Sequence, residues 1–301
     1  MNENHVTEIL VPVFNEEKNI EIICDEILKF QSSHSLLVHF VDDGSTDNTW
    51  REILNCSKKS KFIKGTRFTK NFGKDYAILA GIKNCENDYA LIMDGDFQHP
   101  AKYIPVLIEK IKKEKFDIIN AKKVNHENNF IKSLYYKIFK YMTSIDLKFN
   151  SDFKIINKKV INYFKDVNEI NFFFRGMVEW SGFKSNNIEF EVGDRLSGKT
   201  KYSLFHLIKF GFNLVLSYST VPLRIITLTG FFLLTLSSVF FIRTIYLKFF
   251  SNVIDGYTTL ISIILIFFSF LIISIGLVGE YIGKIYKETK SRPLYIIDEN
   301  F

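Results

Sequence analysis

The sequence has 301 residues, 47% of them hydrophobic, and a formal net charge of +6 in which lysine far outnumbers arginine. This length allows one large domain or two smaller ones. Its three cysteines have neither metal-binding spacing nor the even count of a disulfide framework, so we expect a reducing compartment. The basic charge suits an anionic membrane surface or anionic phosphates. Nucleic acid is the alternative partner, but no nucleic-acid-binding motif is present.

The first 121 residues alternate apolar segments with amphipathic ones. Strands are predicted at Glu8 to Phe14, Ser35 to Val41, Lys61 to Phe68, Tyr89 to Met93 and Phe116 to Ala121. Helices are predicted from Glu16 to Phe30, after Asp47, from Asn71 to Asn84 and from Pro100 to Lys113. This alternation indicates βαβ units, and therefore an α/β, Rossmann-like fold with a mostly parallel sheet.

Polar clusters follow the ends of these strands, at residues 15–17, 42–43, 71–74 and 94–98. Parallel sheets bind ligands outside the carboxyl ends of their strands. We therefore expect the four clusters to meet at one edge of the sheet and form an active site.

Asp94 and Asp96 follow the strand that begins at Tyr89. Residues two apart in an extended chain point to the same side, so both carboxylates can reach one point. Mg²⁺ prefers such oxygen ligands, usually shared with substrate phosphates. The alternative interpretation is an Asx turn that closes the strand.

The C-terminal third is suited to a membrane. Residues 225–242 and 258–279 are apolar and uncharged, and we predict transmembrane helices at about 222–245 and 258–280. Most flanking basic residues lie on the open side of this hairpin, which predicts that both termini are cytoplasmic. Residues 128–145 and 201–219 are amphipathic and suit helices at the membrane interface, or helices packed on the sheet. The acidic N-terminal residues lack an apolar run, so no signal peptide is expected.

Three motifs together resemble family 2 glycosyltransferases of the GT-A fold: VPVFNEE at 11–17, VDDGSTD at 41–47 and DGD at 94–96. Further motifs resemble the polyprenyl-phosphate branch, which includes bactoprenol glucosyltransferases and dolichyl-phosphate mannose synthase. They are NFGK at 71–74, DFQHP at 96–100, SDFK at 151–154 and RLSGKTKY at 195–202. Lys70, Lys122, Lys123 and Lys154 stand where this family often has arginine, and Thr200 where it often has serine.

The resemblance implies roles for individual residues. Asp42 and Asp43 would lie near the base and ribose of a nucleotide-sugar, and Asp152 would be a catalytic carboxylate. Asp94, Asp96 and Gln98 would bind Mg²⁺ or Mn²⁺ and the donor diphosphate. The other nucleotide-pocket residues would be Pro12, Asn15, Glu17 and Lys74, and the phosphate-binding loop would contribute Arg195 and Lys201.

The resemblance also implies an organisation and a reaction. Residues 1–220 would be a cytoplasmic catalytic domain, 221–285 a transmembrane hairpin in the bacterial inner membrane, and 286–301 a cytoplasmic tail, with a homotetramer possible. The enzyme would transfer a sugar, with UDP-glucose as the first candidate donor, to undecaprenyl phosphate with inversion. Its product would serve cell-envelope glycan modification.

Several alternatives stay open. The acceptor could be a hydroxyl of a glycan or glycolipid, and the chain could instead be an inactive membrane scaffold. Asp152 could close a turn, while Arg195 and Lys201 could belong to a solvated basic turn. His99 could bond near the metal site or only precede the next helix, and Trp50 and Trp180 are interpreted as core or interface packing.

Overall fold

The computed structural model describes residues 6–124, 137, 139–143, 151–191, 215–216, 219–250, 256–290 and 292–301. The chain divides into two compact units. The first comprises Met1–Lys201 together with Arg292–Phe301, and the second comprises Tyr202–Ser291. The last ten residues therefore belong to the N-terminal unit, although the second unit precedes them in the chain.

The described part of the first unit contains one eight-stranded sheet with the order β7-β5-β6-β4-β1-β2-β3-β8. The strands are β1 Thr7–Val13, β2 Leu36–Asp42, β3 Ile63–Phe68, β4 Tyr89–Ile92, β5 Ile118–Lys123, β6 Lys154–Asn157, β7 Ser185–Phe190 and β8 Ile297–Asn300. β1 pairs in parallel with β2 and β4, β2 pairs in parallel with β3, and β5 pairs in parallel with β7. β6 runs antiparallel to β4 and β5, and β8 runs antiparallel to β3. The predicted α/β fold with a mostly parallel sheet is confirmed.

The described helices of this unit cover both faces of the sheet. They are α1 Ile20–Leu28, α2 Thr49–Lys59, α3 Lys74–Lys83, α4 Ile104–Lys113, α5 Lys158–Lys165 and α6 Phe174–Trp180, and a 3₁₀ turn at Ala101–Tyr103 leads into α4. Ile9 and Val11 of β1 pack with α1, α2 and α4, while Leu10 packs with α3, α5 and α6. Successive residues of a strand point to opposite faces, so a strand covered on both sides reads as a continuous apolar run.

Helix α1 begins at Ile20, later than the predicted Glu16. Asn15 has a φ of 56°, in the left-handed region, so the chain turns here before the helix starts. The Asn15 amide donates to Ser45 Oγ at 2.9 Å, and the Glu16 amide donates to Thr49 Oγ1 at 2.8 Å. Ser45, in the loop after β2, and Thr49, at the start of α2, thus satisfy the backbone amides of this turn.

The second unit contains two long helices, α7 Val221–Phe250 and α8 Tyr257–Thr289. Within the described residues, Phe267–Thr289 is long and apolar enough to span a membrane, while the apolar part of the first helix, Val221–Leu233, is shorter. Two helices do cover the predicted ranges, but that both cross a membrane stays a prediction. The predicted interface helices lie mostly outside the described residues, although 139–143 are helical.

Three features of the structure differ from the sequence predictions. Strands β6, β7 and β8 and helices α5 and α6 had not been predicted. The predicted tail at 286–301 divides between the end of α8 and the strand β8. Trp180 is 64% exposed and is therefore not a core residue, whereas Trp50 is buried.

Candidate active site

The loops that follow β1 and β2 are joined by direct hydrogen bonds. Asn15 Oδ1 accepts from the Thr46 amide at 2.9 Å, and Glu17 Oε2 accepts from the Asn48 amide at 3.1 Å. The side chains of two predicted nucleotide-binding residues thereby hold the start of the α2 region. These hydrogen bonds consequently hold the two loops to each other at this edge of the sheet.

Asp42 ends β2 and Asp43 follows it, and both are buried. Asp43 accepts from the Phe72 amide at 2.7 Å and from the Gly73 amide at 2.9 Å, which ties the loop before α3 to β2. Burial raises the pKa of Asp43 to about 6 although these two bonds act to lower it. Its carboxylate thus holds the loop in position.

The two carboxylate oxygens of Asp42 have different surroundings. Its Oδ1 accepts from the Ser45 amide at 2.9 Å, while its Oδ2 is buried without a hydrogen bond. Arg67 Nε lies 3.6 Å from that Oδ2, close enough for an ion pair. A buried acceptor without a donor is costly, so a donor group of a bound molecule would stabilise this position.

Gly95 allows the backbone between Asp94 and Asp96 to pack closely against β1. A Cβ at Gly95 would lie 2.8 Å from Val13 Cγ1, so only glycine fits between the aspartates. Phe97 has a φ of 64°, which is a strained conformation for a bulky residue. Strained residues of this kind cluster at functional sites, where the surrounding structure holds them.

The two aspartates of this turn have different partners. Asp96 accepts from the backbone amide of Gln98 at 3.1 Å and from its side-chain amide at 2.7 Å. Gln98 Oε1 in turn accepts from Lys123 Nζ at 3.3 Å. Asp94 Oδ1 is buried and lies 2.6 Å from Lys74 Nζ, so these two groups form a close ion pair.

His99 contacts the backbone at the start of the turn formed by residues 94–96. Its Nδ1 accepts from the Asp94 amide at 2.9 Å, and its ring stacks on Phe153 with 4.8 Å between ring centroids. Burial lowers the pKa of His99, so the imidazole is neutral at pH 7 and can accept this bond. Of the two alternatives for His99, the structure therefore favours the hydrogen bond near the predicted metal site.

Asp152 is buried and held by two cations. Arg175 donates to it from Nε at 2.7 Å and from a terminal nitrogen at 2.6 Å, and Lys74 Nζ donates to its Oδ2 at 2.6 Å. Burial acts to raise the pKa of Asp152, but the charges of Lys74 and Arg175 hold it well below the ordinary value. A carboxylate with such a low pKa is a weak base.

Lys74 lies between the carboxylates of Asp94 and Asp152. Its ammonium lies 2.6 Å from a carboxylate oxygen of Asp94 and 2.6 Å from one of Asp152. Burial acts to lower its pKa, but these two carboxylates raise it above the ordinary value, so Lys74 is charged. The structure therefore brings together Lys74, Asp94 and Asp152, three residues that are far apart in the sequence.

The structure thus places the described predicted residues along the same edge of the sheet. Pro12 lies in β1 next to the turn at Gly95, and the others take part in the contacts given above. Arg195 and Lys201 lie outside the described residues, so their positions stay predictions. The convergence of the four strand-end clusters is confirmed by the contacts Asn15–Ser45, Asp43–Phe72 and Lys74–Asp94.

Sequence reasoning missed Arg175 and the burial of Lys154. Arg175 follows an unbroken run of phenylalanines and is one of few arginines among 39 basic residues, which is a signal in a chain that otherwise uses lysine. Lys154 has 0% exposure behind Asp152, and burial lowers its pKa to about 8. No residue pattern distinguishes this buried lysine from the exposed ones around it.

A divalent cation fits the turn at Asp94 and Asp96 only if other ligands complete its coordination. Among the described residues, no group of three or more His, Cys, Asp or Glu side chains could hold a metal ion. Asp94 and Asp96 nevertheless offer carboxylate oxygens within one short turn, and Gln98 adds an amide oxygen. Mg²⁺ commonly binds to one or two carboxylates plus substrate phosphates, and this donor set suits that arrangement.

Comparisons with known proteins bear on both units. Residues 8–169 match the model of the glycosyl transferase family 2, and residues 221–285 match that of the GtrB C-terminal hairpin. The putative glycosyltransferase CsbB of Bacillus subtilis is 34% identical, over 97% of this chain and 91% of its own length. A bactoprenol glucosyl transferase of Shigella phage SfX is 32% identical, over 96% of this chain and 97% of its own.

A solved structure with the same fold is that of glucosyl-3-phosphoglycerate synthase from Mycobacterium tuberculosis in complex with Mn²⁺, uridine diphosphate and phosphoglyceric acid. Its TM-score is 0.51 at 14% identity, covering 71% of this chain and 77% of that one. At this identity the likeness establishes only the fold.

Proposed function

The chain belongs to glycosyltransferase family 2, and from that premise we propose that it transfers one sugar from a nucleotide-sugar to a polyprenyl phosphate. UDP-glucose is the proposed donor and undecaprenyl phosphate the proposed acceptor. The observation that carries the choice of acceptor is the pairing of Asp152 with Lys74 and Arg175. The relatives named as bactoprenol glucosyl transferases support it as well.

A phosphate acceptor needs no strong general base. The second pKa of a phosphomonoester is about 6, so it is largely ionised at neutral pH. A hydroxyl acceptor must instead lose a proton as it attacks, which requires a base with a pKa closer to the working pH. Asp152 has a pKa held well below its ordinary value by two cations, so it is suited to positioning Lys74 and Arg175. These two cations can then face the incoming phosphate.

The proposed step is a direct displacement at the anomeric carbon. A bond forms between an oxygen of the acceptor phosphate and that carbon, while the bond from the carbon to the donor diphosphate breaks. The bonding electron pair leaves with the diphosphate, so the configuration inverts and an α-linked donor gives a β-linked product. Lys74 and Arg175 stabilise negative charge on the phosphate groups.

Asp94, Asp96 and Gln98 are the proposed ligands of Mg²⁺ or Mn²⁺. A bound divalent cation would neutralise negative charge on the diphosphate as it leaves. The hydrogen bonds between Asp96 and Gln98 support this assignment, because they hold two of the three proposed ligands together. Asp42, whose Oδ2 is buried without a hydrogen bond, is proposed to contact the base or ribose of the donor.

The second unit is proposed to hold the enzyme at the bacterial inner membrane. In this arrangement α7 and α8 both span the bilayer as a hairpin, with the catalytic unit and both termini in the cytoplasm. The match of residues 221–285 to the GtrB C-terminal hairpin and the apolar stretch Phe267–Thr289 support it. A polyprenyl phosphate could then reach the site without leaving the bilayer.

The test is to incubate membranes containing the full chain with a panel of radiolabelled nucleotide-sugars and undecaprenyl phosphate. Label should move to the lipid phase with one donor, and the transfer should be lost on chelation and in Asp96→Ala. Undecaprenol and glycolipid acceptors serve as controls for hydroxyl chemistry. Transfer to those acceptors instead would refute the phosphate assignment, and the absence of both transfer and nucleotide binding would favour an inactive scaffold.

A further inference from the structure

The last ten residues add an edge strand to the catalytic sheet. β8 pairs antiparallel with β3, with Glu299 opposite Arg67. The Thr69 amide donates to the Ile296 carbonyl at 3.0 Å, which continues the attachment past the end of β3. All four residues of β8 are exposed, so burial of this strand cannot be what holds it in place.

Two aromatic residues anchor the strand on either side. The ring of Tyr295 stacks on Phe68 with 4.9 Å between centroids and 14° between planes. At the other end, Phe301 lies against Trp50, with 5.6 Å between centroids. A Cβ at Gly65 would come within 2.7 Å of the Phe301 ring, so glycine in β3 provides the space for this anchor.

A polar connection runs from this strand to the end of β2. Glu299 Oε2 accepts from the Trp50 indole nitrogen at 3.1 Å, and Glu299 Oε1 lies 3.7 Å from a terminal nitrogen of Arg67. Arg67 Nε lies 3.6 Å from Asp42 Oδ2, and another of its nitrogens donates to the Ser45 carbonyl at 3.5 Å. The guanidinium is thus placed between a carboxylate of the tail and the buried carboxylate of Asp42.

We propose that the C-terminal strand is a positioning element for the donor nucleotide, and that Glu299 acts as a positioning residue through Arg67. Glu299 restricts Arg67 to the orientation that faces Asp42 and Ser45. The loop at residues 42–47 is then held ready for the base and ribose before the donor arrives. The inference rests on the proposed function, because that function assigns the loop to the nucleotide.

The alternative role for the strand is only to cover the free edge of β3, since exposed edges invite unwanted pairing. The two roles differ in what the charge of Glu299 does. Glu299→Gln keeps an oxygen that can accept from Trp50, but it removes the charge that faces Arg67. Asp298→Asn is the matched control, because Asp298 lies on the same strand and no hydrogen bond or ion pair joins its side chain to the described residues.

The experiment compares these two variants as full chains in detergent. In Glu299→Gln, the KM for the nucleotide-sugar and the Kd of UDP with Mn²⁺ should rise about two- to fivefold, the range expected for a partly exposed ion pair. The kcat and the KM for undecaprenyl phosphate should stay unchanged, and Asp298→Asn should match the wild type. Equal donor KM and UDP affinity in the two variants would overturn the proposal.

A second measurement does not depend on the proposed function. Hydrogen exchange of residues 42–47 without any ligand should be faster in Glu299→Gln than in Asp298→Asn. If the wild type neither binds UDP nor transfers sugar, the proposed function fails, and this measurement still tests the link between the strand and the loop. Unchanged exchange in that loop would show that the strand only covers the sheet edge.

Discussion

Arg175 is the residue whose substitution tests the proposed chemistry most directly. Arg175→Met keeps an unbranched chain in place of the aliphatic part of arginine and removes both charged hydrogen bonds to Asp152, from Nε at 2.7 Å and from a terminal nitrogen at 2.6 Å. Lys74 stays within 2.6 Å of the same carboxylate. The variant therefore leaves a buried carboxylate with one of its two cations.

The size of the effect follows from these contacts. Hydrogen bonds to charged groups contribute about 1.5–3 kcal/mol each. The side chain of Arg175 is 38% exposed, so solvent screens part of this energy, and Lys74 compensates for another part. We expect a net loss of about 1–3 kcal/mol in the transition state, or about 5- to 150-fold in kcat/KM for the acceptor.

The assay is the initial rate of lipid labelling at saturating donor, with undecaprenyl phosphate varied. Arg51→Met is the matched control, because Arg51 is exposed on α2 without a hydrogen bond or ion pair to the described residues. Loss of Arg175 raises the pKa of Asp152 toward the ordinary value of 3.8, so the carboxylate stays ionised at neutral pH. The loss should therefore persist unchanged from about pH 6 to 9.

Two results would refute this reasoning. Equal activity of Arg175→Met and Arg51→Met would mean that the hydrogen bonds from Arg175 to Asp152 have no role in the reaction. Recovery of Arg175→Met at alkaline pH would indicate that a group with a raised pKa acts as a general base, which favours a hydroxyl acceptor. A cycle with Asp152→Asn adds a further check, because residues in one ion-pair network should be non-additive.

Three further substitutions test other parts of the site and the core. Gly44→Ala should destabilise the chain by about 2–5 kcal/mol and weaken UDP binding. Gly44 has a φ of 68°, and a Cβ there would lie 2.3 Å from the Lys70 carbonyl carbon. Thermal unfolding measures the loss of stability, and calorimetry measures the affinity for UDP. Asp96→Asn should lower UDP affinity in the presence of Mn²⁺ but not in its absence, and equal losses in both conditions would contradict the metal assignment. Glu8→Gln should cost about 1–3 kcal/mol at pH 7; burial opposes ionisation of Glu8, but the bond to His39 holds its pKa below the ordinary value. That stability is present above about pH 4.3 and is lost as the pH falls further, so wild type and Glu8→Gln should converge in acid unfolding.

Most of the catalytic fold could be predicted because its strands are covered on both faces. Tyr89–Ile92 and Leu36–Asp42 read as apolar runs, and helices with polar surfaces alternate with them. The carboxyl ends of parallel strands lie at one edge of the sheet, so the sequence alone predicts that Asp42 and Asp94 share that edge. These are consequences of local pattern and sheet geometry alone.

The strands that pair antiparallel at β6 and β8 could not be predicted in the same way. Ile297–Asn300 has no apolar alternation, and it is a strand because β3 offers a free edge and because Tyr295 and Phe301 find partners there. The partners Phe68 and Trp50 lie far away in the sequence. Pairing of this kind depends on tertiary contact, which a single-sequence pattern does not record.

The charges around Asp152 bear on how an acceptor phosphate would be bound. Asp94 and Asp152 are balanced by Lys74 and Arg175, whose nitrogens lie within 2.7 Å of these carboxylates. An acceptor phosphate that faces Lys74 and Arg175 would therefore add negative charge to a cluster that is already balanced. Burying unpaired charge is costly, so we expect further basic side chains to contribute to acceptor binding. Arg195 and Lys201, which lie outside the described residues, are the ones that the family resemblance implies for contacts to the phosphates.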